Sequence, residues 1–157
     1  VLKGKNMDTI RPIKINHGAR QLDWLNTVVV EHQYHSKYVG EFCLRTKDGG
    51  WSESPVAVFY QPNPDTSKGH THYFGILYQF GAVYITNAIS AAEVDIAGVQ
   101  YGDEIIYSRF RHDYRTDSTG KVFVDGGRDY FRWGGEDSEH AKLVTLRIID
   151  GELKVVS

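Results

Sequence analysis

The sequence predicts an all-β fold, an antiparallel barrel or sandwich of about ten short strands with minimal helix. Three observations predict it. Short β-branched and aromatic runs recur along the chain, and 13% of the 157 residues are aromatic. Turns rich in Gly, Asp and Asn separate these runs at the spacing of antiparallel strands. Asp150-Gly151, between two apolar stretches, is the strongest short hairpin signal in the chain.

Residues 1–6 are small, basic and without pattern, and Met7 is the only methionine. They read as a remnant foreign to the native chain, leaving 7–157 as a single β domain. Residues 19–26 are a weak helix candidate. Thr27-Val28-Val29-Val30 is a β-branched run and reads as a strand. Residues 38–46 alternate loosely and end in the turn signal Lys47-Asp48-Gly49-Gly50. Residues 56–60 form a short apolar strand. Residues 72–80 and 82–86 follow, rich in aromatic and β-branched side chains, with Gly81 between them. Residues 90–96 suggest a turn of helix, with Ser90 as cap and Glu93 three residues on. Residues 104–114, 121–125 and 129–133 read as strands separated by 116–120 and Gly126-Gly127. Residues 136–140 suggest a second helical turn. Residues 143–149 and 152–156 flank Asp150-Gly151 and close the chain as a hairpin.

At roughly 100–200 residues per domain, the length fits one domain with its own core. Lys+Arg is 18 and Asp+Glu 20, a formal charge of −2. That balance argues against general nucleic-acid binding, which is driven by phosphate neutralisation. Cys43 is the only cysteine and cannot form an internal disulfide, a composition that suits a reducing compartment. No apolar run approaches the roughly 20 residues of a membrane-spanning helix.

Motifs of catalysis are sparse. Gly-x-Ser-x-Gly, the phosphate-binding P-loop, the dinucleotide glycine fingerprint and His-Glu-x-x-His do not occur. Gly69-His70-Thr71-His72 follows a polar loop, 61–69, held extended by Pro62 and Pro64. On a strand, His70 and His72 would face one side, as metal ligands do. A site would need further donors, and His32, His35, Asp65 and Asp113 are available without a spacing that selects one. Such a pair is more often hydrogen-bonded or exposed than ligating. Cys43, in an alternating strand, reads as a buried, inert thiol.

The most distinctive stretch is Ser108-Arg109-Phe110-Arg111-His112-Asp113-Tyr114, with Asp125-Gly126-Gly127-Arg128-Asp129-Tyr130 after it. With 116–120 as the turn, Thr116 pairs with Lys121, Tyr114 with Phe123, Asp113 with Val124 and His112 with Asp125. Ile106, Ser108, Phe110, His112 and Tyr114 then form a core face, and His112–Asp125 a partly buried pair. Tyr107, Arg109, Arg111 and Asp113 form the opposite face, joined by Arg128 and Arg132 from the next strand. Guanidinium forks match phosphate and carboxylate geometry, and aromatic rings stack on a base. Against this stands a plain solvated face whose arginines pair with Asp113, Asp129 or Glu104. Gly126-Gly127 reads as a turn or bulge rather than an anion nest.

The same two segments resemble a group of small uncharacterised accessory proteins of tailed bacteriophages, over about 25 residues of the chain. The resemblance carries no catalytic residue. It implies a protein made in the bacterial host cytoplasm that binds, blocks or sequesters a host factor or nucleotide.

The expected function is therefore that of a non-enzymatic, phage-type accessory binding protein. Its partner would be an anionic small molecule of the nucleotide kind, or a host macromolecule. The binding residues would be Tyr107, Arg109, Arg111, Asp113, Arg128, Arg132, His70 and His72. No catalytic residue, metal, cofactor or membrane partner is expected, and an oligomer is compatible. The alternatives are a metal-dependent hydrolase or phosphodiesterase using His70 and His72, and a virion structural or assembly protein.

Overall fold

A computed structural model describes residues 12–18, 24–52, 54–79, 82–127 and 130–157. Residues 1–6, Met7 and most of the helix candidate at 19–26 lie outside the described residues, as do Arg128 and Asp129. The architecture is predominantly β, as expected, with 13% of residues helical.

Twelve described strands build three sheets. The first sheet has the order β2 (Lys37–Phe42), β3 (Val56–Tyr60), β4 (Tyr73–Gln79) and β5 (Ala82–Asn87), all antiparallel. The second joins β1 (Lys14–Ile15), β7 (Glu104–Tyr107), β6 (Ile96–Tyr101), β11 (Lys142–Ile149) and β12 (Glu152–Val155). The third is small: β10 (Phe131–Gly134), β9 (Phe123–Gly126) and β8 (Arg115–Thr116). One pairing departs from the antiparallel expectation, because the two-residue strand β1 runs parallel to β7.

The layering explains why several strands lack alternation. In β3, Val56 and Val58 enter the main core between the two large sheets. Their neighbours Ala57 and Phe59 enter a second core, with Phe74, Ile76, Val30 and Tyr34. In β7, Ile105 and Tyr107 join the main core, whereas Ile106 packs on Val122 and Val124 of the third layer. Strands covered on both faces read as continuous apolar runs.

The strand expectation at Thr27–Val30 is overturned. Thr27–Val30 lies in helix α1 (Trp24–Gln33). Thr27 is fully buried, and Val30 and Tyr34 pack on the β3–β4 face, a spacing of three and seven residues that only a helix aligns. Tyr34 meets the Phe74 ring at 5.4 Å. Burial of this face outweighs the β-propensity of the valines, two of which, Val28 and Val29, are exposed. A second α-helix among the described residues, α2 (Ile89–Ala92), overlaps the start of the segment expected to be helical, but Ser90 is not its cap. Asn87 Oδ1 accepts from the Ile89 amide at 2.9 Å, and Ser90 Oγ accepts from the Arg45 amide. The turn of helix at 136–140 is a 3-10 helix, Ser138–His140.

The C-terminal hairpin forms where expected, with Ile149 opposite Glu152. Asp150 and Gly151 have φ of 49° and 81°, the two positive values of a type I′ turn. A Cβ at Gly151 would also lie 2.6 Å from the Tyr60 ring. Gly151→Val should therefore lower stability by about 1–3 kcal/mol, from strain plus overpacking. Urea denaturation checks this, and an unchanged midpoint would contradict it.

Candidate functional site

The segment between β7 and β8 is not a strand. Chain 108–114 turns sharply, with His112 at φ +66°. The hairpin register that follows is Arg115 with Val124 and Thr116 with Phe123, two residues from the expected one. The expected exposed face of Tyr107, Arg109, Arg111 and Asp113 therefore does not form. Tyr107 and Asp113 are buried, Arg109 is half-buried, and of the four only Arg111 is exposed. The expected core face also breaks up: His112 is exposed, and so is Tyr114, which stacks on Phe123.

What forms instead is an ionic network inside the protein. Asp113 accepts from the Arg109 amide at 2.8 Å and from the Arg109 guanidinium at 2.9 and 3.3 Å. The same guanidinium reaches buried Glu41 of β2 at 3.3 Å. Burial by itself would lower the Arg109 pKa, but the Asp113 hydrogen bond and the charges of Asp113 and Glu41 raise it above the ordinary value. Beside it, Arg115 donates to the carbonyl oxygens of Tyr107 and Asn16, each at 2.7 Å. Burial and the neighbouring Arg109 lower the Arg115 pKa. The Tyr107 hydroxyl lies 2.9 Å from His17 Nδ1, and burial pushes its pKa well up. Arg109 is thus committed to carboxylates, the outcome weighed against a binding face. Besides the Arg109–Asp113 pairing already weighed, a carboxylate inside the apolar run Val39-Gly40-Glu41-Phe42 was a sequence signal for this network.

Asp117 anchors the next turn. It is buried and accepts from the amides of Thr119, Lys121 and Val122 at 3.1, 2.9 and 3.0 Å. Burial pushes its pKa up, but the Thr119 hydroxyl and these amides outweigh that and hold it below the ordinary value. The His112–Asp125 pair expected from the sequence is absent. Asp125 pairs with Arg132, whose side chain is exposed, and His112 Nδ1 lies 2.5 Å from the Tyr130 hydroxyl.

Gly126 and Gly127 form a close crossing of chains. A Cβ at Gly126 would lie 2.5 Å from the Tyr130 carbonyl oxygen, and one at Gly127 2.9 Å from the Arg111 backbone. Glycine here lets the β9–β10 hairpin lie against the 108–114 turn.

That crossing forms one wall of a cleft of about 420 Å³. Tyr130, Phe131 and Gly127 line this wall, Asp95 and the first residue of β6, Ile96, line a second, and Arg45 and Trp51 a third. Arg45 and Trp51 face each other across an isolated antiparallel bridge at the stem of the 46–50 turn. This register places the Arg45 guanidinium over the indole, 4.2 Å from the ring centroid. Arg45 spends one N–H on the Gly49 carbonyl, at 2.6 Å. The carboxylate in the wall, Asp95, is held by both nitrogens of an Arg147 fork, at 2.7 and 3.1 Å. The cleft therefore presents a cation and three aromatic rings, with its acidic group already neutralised. Sequence reasoning assigned neither Arg45 nor Trp51 to a site, although they flank the turn signal at 47–50.

His70 and His72 lie apart from this cleft and before the start of β4. Strand alternation therefore does not put them on one face. His72 Nδ1 is 2.9 Å from the Gln61 carbonyl oxygen, and its ring stacks on Tyr60, whereas His70 lines a different cavity. Among the described residues, the trio of metal-ligand type that comes within reach of itself is Asp137, Glu139 and His140. Cys43 is buried. Among the described residues, no helix is long and apolar enough to cross a membrane.

Residues 102–135 match a domain of unknown function (DUF7695). The matched segment holds the Arg109–Asp113 pair, the Asp117 turn and the Gly126–Gly127 crossing. No curated protein and no solved structure matches the chain.

Proposed function

We propose that the protein is a binding protein for an anionic small molecule that carries an aromatic ring, with a nucleotide as the ligand class that supplies both features. The observation that carries this is the cleft in which the Arg45 guanidinium, the Trp51 indole and the Tyr130 and Phe131 rings converge around a neutralised Asp95. Its volume falls in the range of about 300–1,000 Å³ common for ligand sites. A guanidinium fork suits a phosphate, and the rings suit a base. The proposed binding surface thus moves from the Arg109 side of β7 to this cleft, to which the matched segment contributes Gly127, Tyr130 and Phe131. The resemblance to accessory proteins of tailed phages supports a role in the host cytoplasm, as a sequestering rather than a catalytic protein.

Titration calorimetry with the four common ribonucleoside monophosphates, and with inorganic phosphate, tests this. Saturable binding of at least one nucleotide is expected. Arg45→Ala should weaken it at least tenfold, as loss of a charge-assisted bond of about 1.5–3 kcal/mol would do. Arg45→Lys should rescue poorly, because an ammonium cannot fork. Arg45 is exposed, so the fold should persist. Binding that ignores Arg45→Ala, or no binding of any nucleotide, would overturn the proposal. Phosphate release that needs a divalent metal and is lost in His70→Ala would bring the hydrolase alternative forward.

A further inference from the structure

The first sheet ends in a strand whose outer side pairs with no other described strand. β5 (Ala82–Asn87) bonds β4 on one side and stands last in the order β2, β3, β4, β5. In an antiparallel ladder, the backbone groups of successive residues point alternately to the two sides of the strand. The Ala88 amide donates to the Tyr73 carbonyl at 3.2 Å, and the register runs on without a shift through Gly75 with Thr86 and Leu77 with Tyr84. Tyr84 and Thr86 therefore spend their backbone groups on β4, whereas Val83, Ile85 and Asn87 turn theirs outward. Natural sheets blunt such an edge with charge, proline, bulges or short length. The other outer strands of the described sheets do so. β2 carries Lys37, Glu41 and a register shift between Tyr38 and Gly40. β12 carries Glu152 and Lys154, β10 carries Arg132, and β1 and β8 are two residues each. β5 has none of these devices: Ala-Val-Tyr-Ile-Thr-Asn is uncharged and free of proline, and it meets β4 without a bulge. Tyr84 and Ile85, on opposite faces of this strand, are 50% and 52% exposed.

We propose that β5 pairs with β5 of a second copy of this chain, antiparallel about a two-fold axis at Ile85, so that the first sheets of two copies become one. Self-complementarity selects this partner. Under a two-fold axis a strand meets its own sequence reversed, and a charge at the axis would face its own copy. β5 carries no charge anywhere along its length. With Ile85 opposite Ile85 of the second copy, Val83 falls opposite Asn87. These are the residues whose backbone groups point outward, and each such pair exchanges two hydrogen bonds. Tyr84 falls opposite Thr86, an aromatic beside a β-branched side chain, and the two Ile85 side chains meet on the other face. Both are pairings that stabilise sheets. The contact is small, which places the dimer among the weak, concentration-dependent ones. It shares no residue with the Arg45–Trp51 cleft.

Sedimentation velocity of the full chain, from about 1 μM to about 1 mM, tests the proposal. A monomer–dimer equilibrium is expected. Ile85→Lys and Ile85→Glu should each abolish the dimer, because each sets like charges directly opposite across the axis. An equimolar mixture of the two variants should restore it, since a lysine then faces a glutamate. Ile85→Pro should give a folded monomer, because the N–H it removes faces away from β4. Amide hydrogen exchange reads the register without any variant: the Ile85 and Asn87 amides should gain protection as the unaltered protein is concentrated. A chain that stays monomeric across the range would overturn the proposal, whether its edge is covered by another part of the chain or kept for an extended peptide of another protein. So would a dimer that persists in Ile85→Lys, a variant mixture that stays monomeric, or protection gained elsewhere and not at Ile85. Either result leaves nucleotide binding at Arg45 standing or falling on its own titration.

Discussion

Asp113→Ala is expected to destabilise the protein by about 3–5 kcal/mol, the cost of stranding a buried charge. Asp113 provides three of the contacts that satisfy Arg109, and the Arg109 side chain is only 15% exposed. Without Asp113, the guanidinium keeps Glu41 at 3.3 Å and loses its closest carboxylate. Arg109→Ala should be costly for the converse reason, since Glu41 and Asp113 would both be buried beside each other with their shared cation gone. The double variant should lose less than the sum of the two, because the second substitution removes a group whose closest partner is already gone. Arg111→Ala, at an exposed position, should change stability by no more than about 0.5 kcal/mol. Urea denaturation of the four variants measures all of these. A loss below about 1 kcal/mol for Asp113→Ala would reduce the pair to an ordinary surface salt bridge.

Gly126→Ala is expected to be the second large effect, and it reaches the cleft as well as the fold. The added methyl would sit 2.5 Å from the Tyr130 carbonyl oxygen and 2.8 Å from the Phe131 Cα. Both are backbone atoms, which cannot rotate away as a side-chain tip can. Overpacking of this kind typically costs about 1–3 kcal/mol, and a backbone-on-backbone clash falls at the upper end. The relief available is to splay β9 from β10, where Phe131 pairs with Gly126. That movement would displace Tyr130 and Phe131 from the cleft wall. Thermal stability and nucleotide affinity should therefore fall together. A variant with native stability and weakened binding, or the reverse, would separate the crossing from the cleft and contradict this coupling.

Much of the β architecture was legible because its signals are local. Residues 56–60, 82–86 and 143–149 carry β-branched runs, and each lies within a strand or coincides with one. Asp150-Gly151 was legible for the same reason, since a type I′ turn depends on two adjacent residues. The helix α1 was not, because Thr27-Val28-Val29-Val30 has no helical signal of its own. Its placement depends on the β3–β4 face against which Val30 and Tyr34 pack.

The candidate site shows the same division more sharply. The sequence by itself determined that residues 108–130 are unusual, with arginines, aspartates and a glycine pair set close together. Only the tertiary structure decided which anions those arginines meet. Glu41 lies 68 positions from Arg109 and reaches it because β2 and the end of β7 line the same core. Tertiary structure likewise made the cleft, bringing Arg45 and Trp51 of an isolated bridge to Tyr130 and Phe131 beside the β9–β10 pair. Side-chain alternation is a local rule that holds while a strand continues, and this chain leaves the strand after Tyr107. Beyond that residue, burial and charge pairing between distant segments decide what each side chain faces, and no periodicity records them.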